Sequence, residues 1–311
     1  MFRLFSALAL GLTARPVQAA DRAAPAKDAA PPEARPVPPH RLVWSNASFF
    51  RVNPLGLSNT TRLGWRHKLS GRDGILWDDT YVFAGPSAVV TPAGVRGGAL
   101  VEVQPVAVLR LWGEVAGTQF FGTFNQVLSF DDPGAAWDDD TIERLGEAGV
   151  PAPRSGWVAT GGATLQAKAG PVAVRSAMSF TRFDLALPAG DAYFYDQLWD
   201  RLAPNGRWMA LNDTDLLGLF GPVKAGARLS WTDDLGAQPD DTPGGEAQLR
   251  LGPLVAWQVI DRAPGERVSQ GTVFVMGQWW LRHPYRTGAV SPQAFPLVAV
   301  GYAASGDLRA W

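Results

Sequence analysis

The stretch "GGATLQAKAGPVAVRSAMSF", residues 161–180, alternates in character and then changes phase. Gly161, Ala163, Leu165 and Ala167 are small or apolar at odd positions, with Gly162, Thr164, Gln166 and Lys168 between them. After Gly170-Pro171 the apolar side chains Val172, Val174, Met178 and Phe180 fall on even positions, and Arg175, Ser179 and Thr181 take the odd ones. A period of two is the signature of a strand whose faces differ. A two-residue hairpin loop sets residue i opposite i+3, so the apolar parity must invert across it. Glycine supplies the positive φ at the first position of a type II′ turn, and proline suits the second. The stretch therefore reads as two strands and their turn.

Working outward, "LLGLFGPVKAGARL" repeats the device at Gly221-Pro222. The third Gly-Pro pair, 252–253, behaves differently, because Ala247, Leu249, Leu251, Val255, Trp257 and Val259 keep one phase through it. That segment reads as one long strand with an irregularity. At Gln104-Pro105 the phase leaves the turn length open. The same alternation runs through "TRLGWRHKL", "GALVEVQ", "AVLRLWGEV", "TVFVMGQWWL" and "FPLVAVGYA". It predicts strands near 41–52, 59–69, 79–90, 97–104, 106–118, 155–169, 171–184, 206–220, 222–234, 246–261, 270–282 and 294–303, about twelve within a range of roughly 10 to 14. Only "DTIERLGEAGV", 140–150, has helical spacing. Tight turns at 105, 170 and 221 fall on one side of this meander, and the long connections 119–154, 185–205, 235–245 and 283–293 on the other. An even strand number returns both termini to the short-turn side.

Composition narrows the classes. A net charge of −1 recruits no nucleic acid, and the absence of cysteine removes disulfides and thiolate chemistry. Beyond the N-terminus no run approaches the roughly 20 apolar residues of a spanning helix, so a helical membrane protein is excluded. Arg3, the apolar "LFSALALGL" and the small residues of "VQAA" read as a signal peptide over 1–20, cleaved near Ala19 or Ala20. Residues 21–40, "DRAAPAKDAAPPEARPVPPH", read as a Pro/Ala-rich disordered linker. The domain proper is 41–311.

In pattern, 41–311 resembles the bacterial outer-membrane β-barrels. The resemblance implies an all-β fold, an antiparallel transmembrane β-barrel with long outer loops and tight periplasmic turns, sited in the outer membrane with membrane lipid as its partner. Trp311 looks like the terminal aromatic residue of such barrels, although "SGDLRA" interrupts the alternation before it. A soluble secreted β-sandwich binding protein would alternate too. The Ala and Gly content of the apolar face favours the barrel. Trp65, Trp157, Trp231 and Trp279, on that face toward strand ends, read as interface aromatics, the alternative being core anchors.

The opposite face carries Arg62, Arg66, Lys68, Arg110, Lys168, Arg175, Lys224, Arg228 and Arg250 against Glu102, Glu114, Asp213 and Asp215. A lumen walled by these groups would favour anionic small solutes, as a narrow pore. Alternatively the bases pair with wall and loop carboxylates and plug the barrel, leaving function to the 119–154 loop. The acidic clusters Asp131-Asp132 and Asp138 to Asp140 lack the spacing of a calcium loop, and no metal or cofactor is expected. Among three histidines, His40, His67 and His283, only His67 with Ser58 or Ser70 offers a pair for a lipid-modifying enzyme.

Overall fold

The computed structural model describes residues 38–235, 247–287 and 295–311. The expected signal peptide, nearly all of the linker, and parts of the connections 235–245 and 283–293 lie outside the described residues.

The barrel is made by β1 (His40–Val52), β2 (Gly56–Lys68), β3 (Tyr81–Thr91), β4 (Gly94–Val106), β5 (Leu109–Phe120), β7 (Arg154–Ala169), β8 (Val172–Leu185), β11 (Trp208–Phe220), β12 (Val223–Asp234), β13 (Gln248–Asp261), β14 (Gln270–Arg282) and β15 (Leu297–Ala310). These 12 strands form one closed sheet in the order β1-β15-β14-β13-β12-β11-β8-β7-β5-β4-β3-β2, antiparallel throughout. Closure removes the free edges that would otherwise expose unpaired backbone groups. The quoted stretch is β7 and β8. Ala169 pairs with Val172 across Gly170, whose φ is +57°, and Phe220 pairs with Val223 across Gly221, whose φ is +61°.

Other expectations need adjustment. The turn placed at 105 lies two residues later, at Ala107-Val108, because a register shift between Val103 and Val106 absorbs one residue around Pro105. The phase is thereby the same on β4 and β5. Gly252-Pro253 does sit inside a single strand, β13, whose register against β14 slips at Leu249/Arg250 and at Gln258/Ile260. The last strand runs to Ala310, so "SGDLRA" is strand. Its alternation is masked because the 262–269 connection folds over the outer side: Asp307 N donates to Glu266 O at 2.9 Å, and Trp44 Nε1 to Arg267 O at 2.8 Å. A Cβ on Gly306 would lie 2.0 Å from Arg267 O, which fixes glycine there.

Both termini of the barrel and the turns 107–108, 170–171 and 221–222 share one end, here the terminus side, while 121–153, 186–207, 235–247 and 283–296 share the other, the loop side. Some connections break the division. The 12-residue connection 69–80 and the connection 262–269 sit at the terminus side, and short turns at 53–55 and 92–93 leave the loop-side rim low between β1 and β4.

Outward positions form an apolar belt that includes Leu57, Val101, Leu111, Val115, Leu165, Val174, Leu216, Val255, Val275 and Val300, all exposed. Val115, mid-strand on β5, is 62% exposed. In water such a continuous apolar surface is a liability; in hydrocarbon it is what a spanning barrel needs.

The inside is asymmetric. Phe49, Leu217, Leu254, Ala256, Phe274, Met276, Leu297 and Ala299 pack together from β1, β11 and β13 to β15. This corrects the expectation of an interior lined only by polar groups, since one half of the lumen is closed by an apolar cluster. The other half, from β2 to β8, carries buried Arg62, Glu102, Arg110 and Arg175 alongside a smaller apolar cluster of Tyr81, Phe83 and Leu100.

Candidate functional site: an arginine-lined chamber beneath a lumenal plug

Between β8 and β11 the chain makes a hairpin, β9 (Tyr193–Asp196) and β10 (Arg201–Pro204), paired with the short β6 (Ser129–Phe130) in the order β10-β9-β6. Every residue of β9 and β10 is buried. Phe194, Trp199 and Ala203 pack with Val158, Phe183, Leu185 and Met209 from β7, β8 and β11, so the hairpin is seated on the inner wall. The preceding loop contributes Leu128 and Trp137, which pack on Tyr195 and Leu202 beneath the helix α1 (Asp139–Glu147). Asp138 caps that helix, accepting from Thr141 N at 2.8 Å, which gives one of the acidic clusters a structural use.

Polar bonds tie the hairpin tip to the barrel. Arg51 donates to the carbonyl oxygens of Leu198 and Gln197 at 2.6 and 2.5 Å. Asp196 accepts from Leu198 N at 2.7 Å and Trp199 N at 3.2 Å, shaping the turn. Asp200, fully buried, is the hub. Its carboxylate meets Arg286 Nε at 2.5 Å and accepts from Tyr195 Oη at 2.8 Å, while its carbonyl accepts from Gln248 Nε2 at 2.8 Å. His283 Nε2 lies 3.0 Å from the same carbonyl. Burial alone would raise the Asp200 carboxyl, but the charges of protonated His283 and of Arg286, with hydrogen bonds from Arg286 and Tyr195, hold it below the usual carboxylate range. Burial pushes His283 down to about 4, against the pull of Asp200. Near neutral pH His283 is thus uncharged, and Arg286 carries the attraction.

Under the hairpin lies a chamber of about 60 Å³, lined by Arg62, Arg96, Arg110 and Arg175, by Glu102, Glu114 and Asp196, and by threonine and serine hydroxyls of the wall. Arg62 Nη1 is 3.4 Å from Glu102, whose other oxygen accepts from Tyr81 Oη at 3.0 Å. Arg110 donates to Thr164 at 3.3 Å, and Ser87 bonds Glu114. Arg175 and Arg228 grip Asp215 from two sides at 2.8 and 2.6 Å, and Arg228 also lies 3.6 Å from Asp213. Arg250 stacks on the Trp280 ring at 4.7 Å. Despite these pairs, Arg62 Nε, Arg110 Nε, Arg175 Nε and Arg175 Nη2 have no hydrogen-bond partner among the described residues.

Those sequence-derived residues thus divide by depth. Arg62, Arg110, Arg175, Arg228 and Arg250 are buried in the interior with Glu102, Asp213 and Asp215. Arg66 pairs with Asp79 at 2.8 Å, and Lys68, Lys168 and Lys224 lie toward the terminus-side end, Lys168 exposed. Trp65, Trp157 and Trp279 are exposed on the outward face, and Trp231, on the same face, is half-buried. His67 stacks outside with His40 and Trp65, centroids 4.6 and 5.4 Å away, whereas Ser58 is buried on the inward phase of β2. The His67–Ser58 pair is not assembled. Arg51, Arg96, Asp196, Asp200 and Arg286 were not legible as site residues.

A closed antiparallel barrel with an apolar outer belt and a polar, partly plugged interior is a transmembrane β-barrel of the bacterial outer-membrane class. No helix among the described residues is long and apolar enough to cross a membrane, so crossing is by strands. No family model matches the chain, and no curated protein does. Solved structures similar to it include the translocator domain of the autotransporter NalP from Neisseria meningitidis, at 10% identity over 86% of this chain and 88% of that one, TM-score 0.36. Acinetobacter baumannii OccAB1 is similar at 14% identity over 81% and 58%, TM-score 0.37, and a Pseudomonas aeruginosa FadL homologue at 8% over 87% and 90%, TM-score 0.36. What the interior does follows from this chain's own residues.

Proposed function

We propose that the protein is an outer-membrane channel for small anionic solutes, held closed by its lumenal hairpin. The supporting observation is the set of guanidinium nitrogens, Arg62 Nε, Arg110 Nε, Arg175 Nε and Arg175 Nη2, on residues that line the chamber and have no acceptor there among the described residues. Leaving a buried charged donor unsatisfied costs more than a hydrogen bond returns, so a structural interior would have paired or replaced them. A chamber of about 60 Å³ holds a few waters or one small oxyanion. Passage requires the hairpin to shift, because the apolar cluster and the Arg175–Asp215–Arg228 network close the remaining section.

Planar-bilayer recording tests the reading. The wild type is expected to open rarely and with anion preference, and Asp200→Ala/Arg286→Ala, which frees the hairpin tip, to raise the open probability. Adding Arg110→Glu/Arg228→Glu should move the reversal potential toward cations. A silent barrel after release of the hairpin would leave a plugged scaffold that acts through its outer loops.

A further inference from the structure

The barrel wall is incomplete beside the turn at 92–93. β2 begins at Gly56 and β3 runs to Thr91, yet the rung nearest the loop side that joins them is Asn59–Val90. Next to this unpaired end lies a cleft of about 180 Å³. Its outer lip is formed by Phe50, Leu55, Leu57 and Val95, all exposed and, for Leu57 and Val95, on the outward phase that carries the belt. At the inner end are Gln126 and Leu198 of the plug and Arg96 of the wall. Val89 and Arg96 line both this cleft and the arginine chamber. The cleft, with apolar side chains at its exposed lip, thus shares two wall residues with the arginine chamber.

Two observations say what fits. Leu57 and Val95 at the lip are exposed on the outward phase that carries the belt, so an alkyl chain in hydrocarbon meets the cleft at those side chains. Gln126, 3% exposed, presents an Nε2 that has no acceptor among the described residues, so the inner end has a buried donor in want of an oxygen. The free volume is comparable to the ~150 Å³ cavities that hold one small apolar molecule, enough for a single alkyl chain and not for two. We propose that this cleft binds a single-chain anionic amphiphile drawn from the surrounding lipid, its tail against Leu57, Val95 and Phe120 and its headgroup at Gln126 and Arg96.

The test uses the full chain in phosphatidylcholine vesicles with hexadecanoic acid carrying a diazirine in its tail, the cross-links being mapped by mass spectrometry. Labelling is expected to concentrate on 55–57 and 92–95, and to be competed by unlabelled hexadecanoate far better than by hexadecanol. Leu57→Trp, which fills the mouth, should lower the labelling about tenfold, the step that 1.4 kcal/mol represents, while Val115→Trp elsewhere on the belt leaves it unchanged. Arg96→Met, which removes the positive charge at the inner end, should erase the preference for acid over alcohol even if Leu57→Trp does not fold. Labelling spread evenly around the barrel, or equal competition by hexadecanol, overturns the proposal. Neither readout depends on conductance, so this site and the pore stand or fall separately.

Discussion

Arg286 and Asp200 form the bond on which the plug turns: Nε to Oδ2 at 2.5 Å and Nη2 to Oδ1 at 3.2 Å, joining the β14–β15 connection to the hairpin tip. Arg286 also reaches Asp139 at 3.0 Å and Asn53 at 2.8 Å, so one guanidinium links three loop-side segments to the hairpin.

Removing it is expected to loosen the hairpin without opening the barrel. Breaking a buried pair by deleting one partner costs about 3–5 kcal/mol, because the other charge stays buried. In Arg286→Ala, hydrogen exchange of the amides of 193–204 should accelerate by orders of magnitude while that of β7 and β8 holds. Equal acceleration of both would show that hairpin and wall open as one unit.

Acid should weaken the same junction. His283 titrates near 4 when docked, below its free value of about 6.5, so the undocked loop binds the extra proton. The contribution is fully present above about 6.5 and is lost as pH falls through that window toward 4, in total of order 3 kcal/mol. The Asp200 carboxyl shifts the other way from a buried acid, being held low by His283 and Arg286. Protease cleavage within 193–204 should therefore rise between pH 6.5 and 4 in the wild type, and His283→Asn, which does not titrate, should flatten the profile.

The Arg175–Asp215–Arg228 network offers a second energetic test. Asp215→Leu strands the buried Arg175 and leaves Arg228 without its nearer carboxylate, and should destabilise by about 3–5 kcal/mol, whereas Arg175→Met/Asp215→Leu/Arg228→Met should recover much of the loss. Tryptophan fluorescence during urea unfolding from vesicles reads both. A triple variant no better than the single one would show that the ion network itself stabilises the fold.

On the outside, Val115→Arg separates the lipid-facing barrel from any water-facing alternative. Near the bilayer midplane an arginine costs about 2–4 kcal/mol, while at an exposed position in water it is nearly neutral. Stability measured in the same vesicles decides.

The strands and their turns could be read from residues because a wall with lipid on one side and a lumen on the other imposes a strict period of two, and each Gly-Pro loop inverts it. The hairpin Tyr193–Pro204 could not be read that way, since it is buried on every side and "YFYDQLWDRLAP" carries no face to alternate. Arg51 was hidden for a related reason. It shares a phase with Ala47 and Phe49, and on that half of the barrel the inward side is itself apolar, so hydrophobicity no longer marks the outside. Arg62, Arg110 and Arg175, on the β2 to β8 half, stood out against neutral neighbours.

The meeting of β1 with β15 has a bearing on assembly. His40 and Trp311 exchange backbone hydrogen bonds at 3.3 and 3.0 Å, and the ladder between them continues to Val52 and Val298. The cylinder is thus zipped where the first strand of the barrel meets the twelfth. Until that final ribbon is in place, the leading strand keeps a bare row of amides and carbonyls, which hydrocarbon would punish and a helper protein would have to shelter.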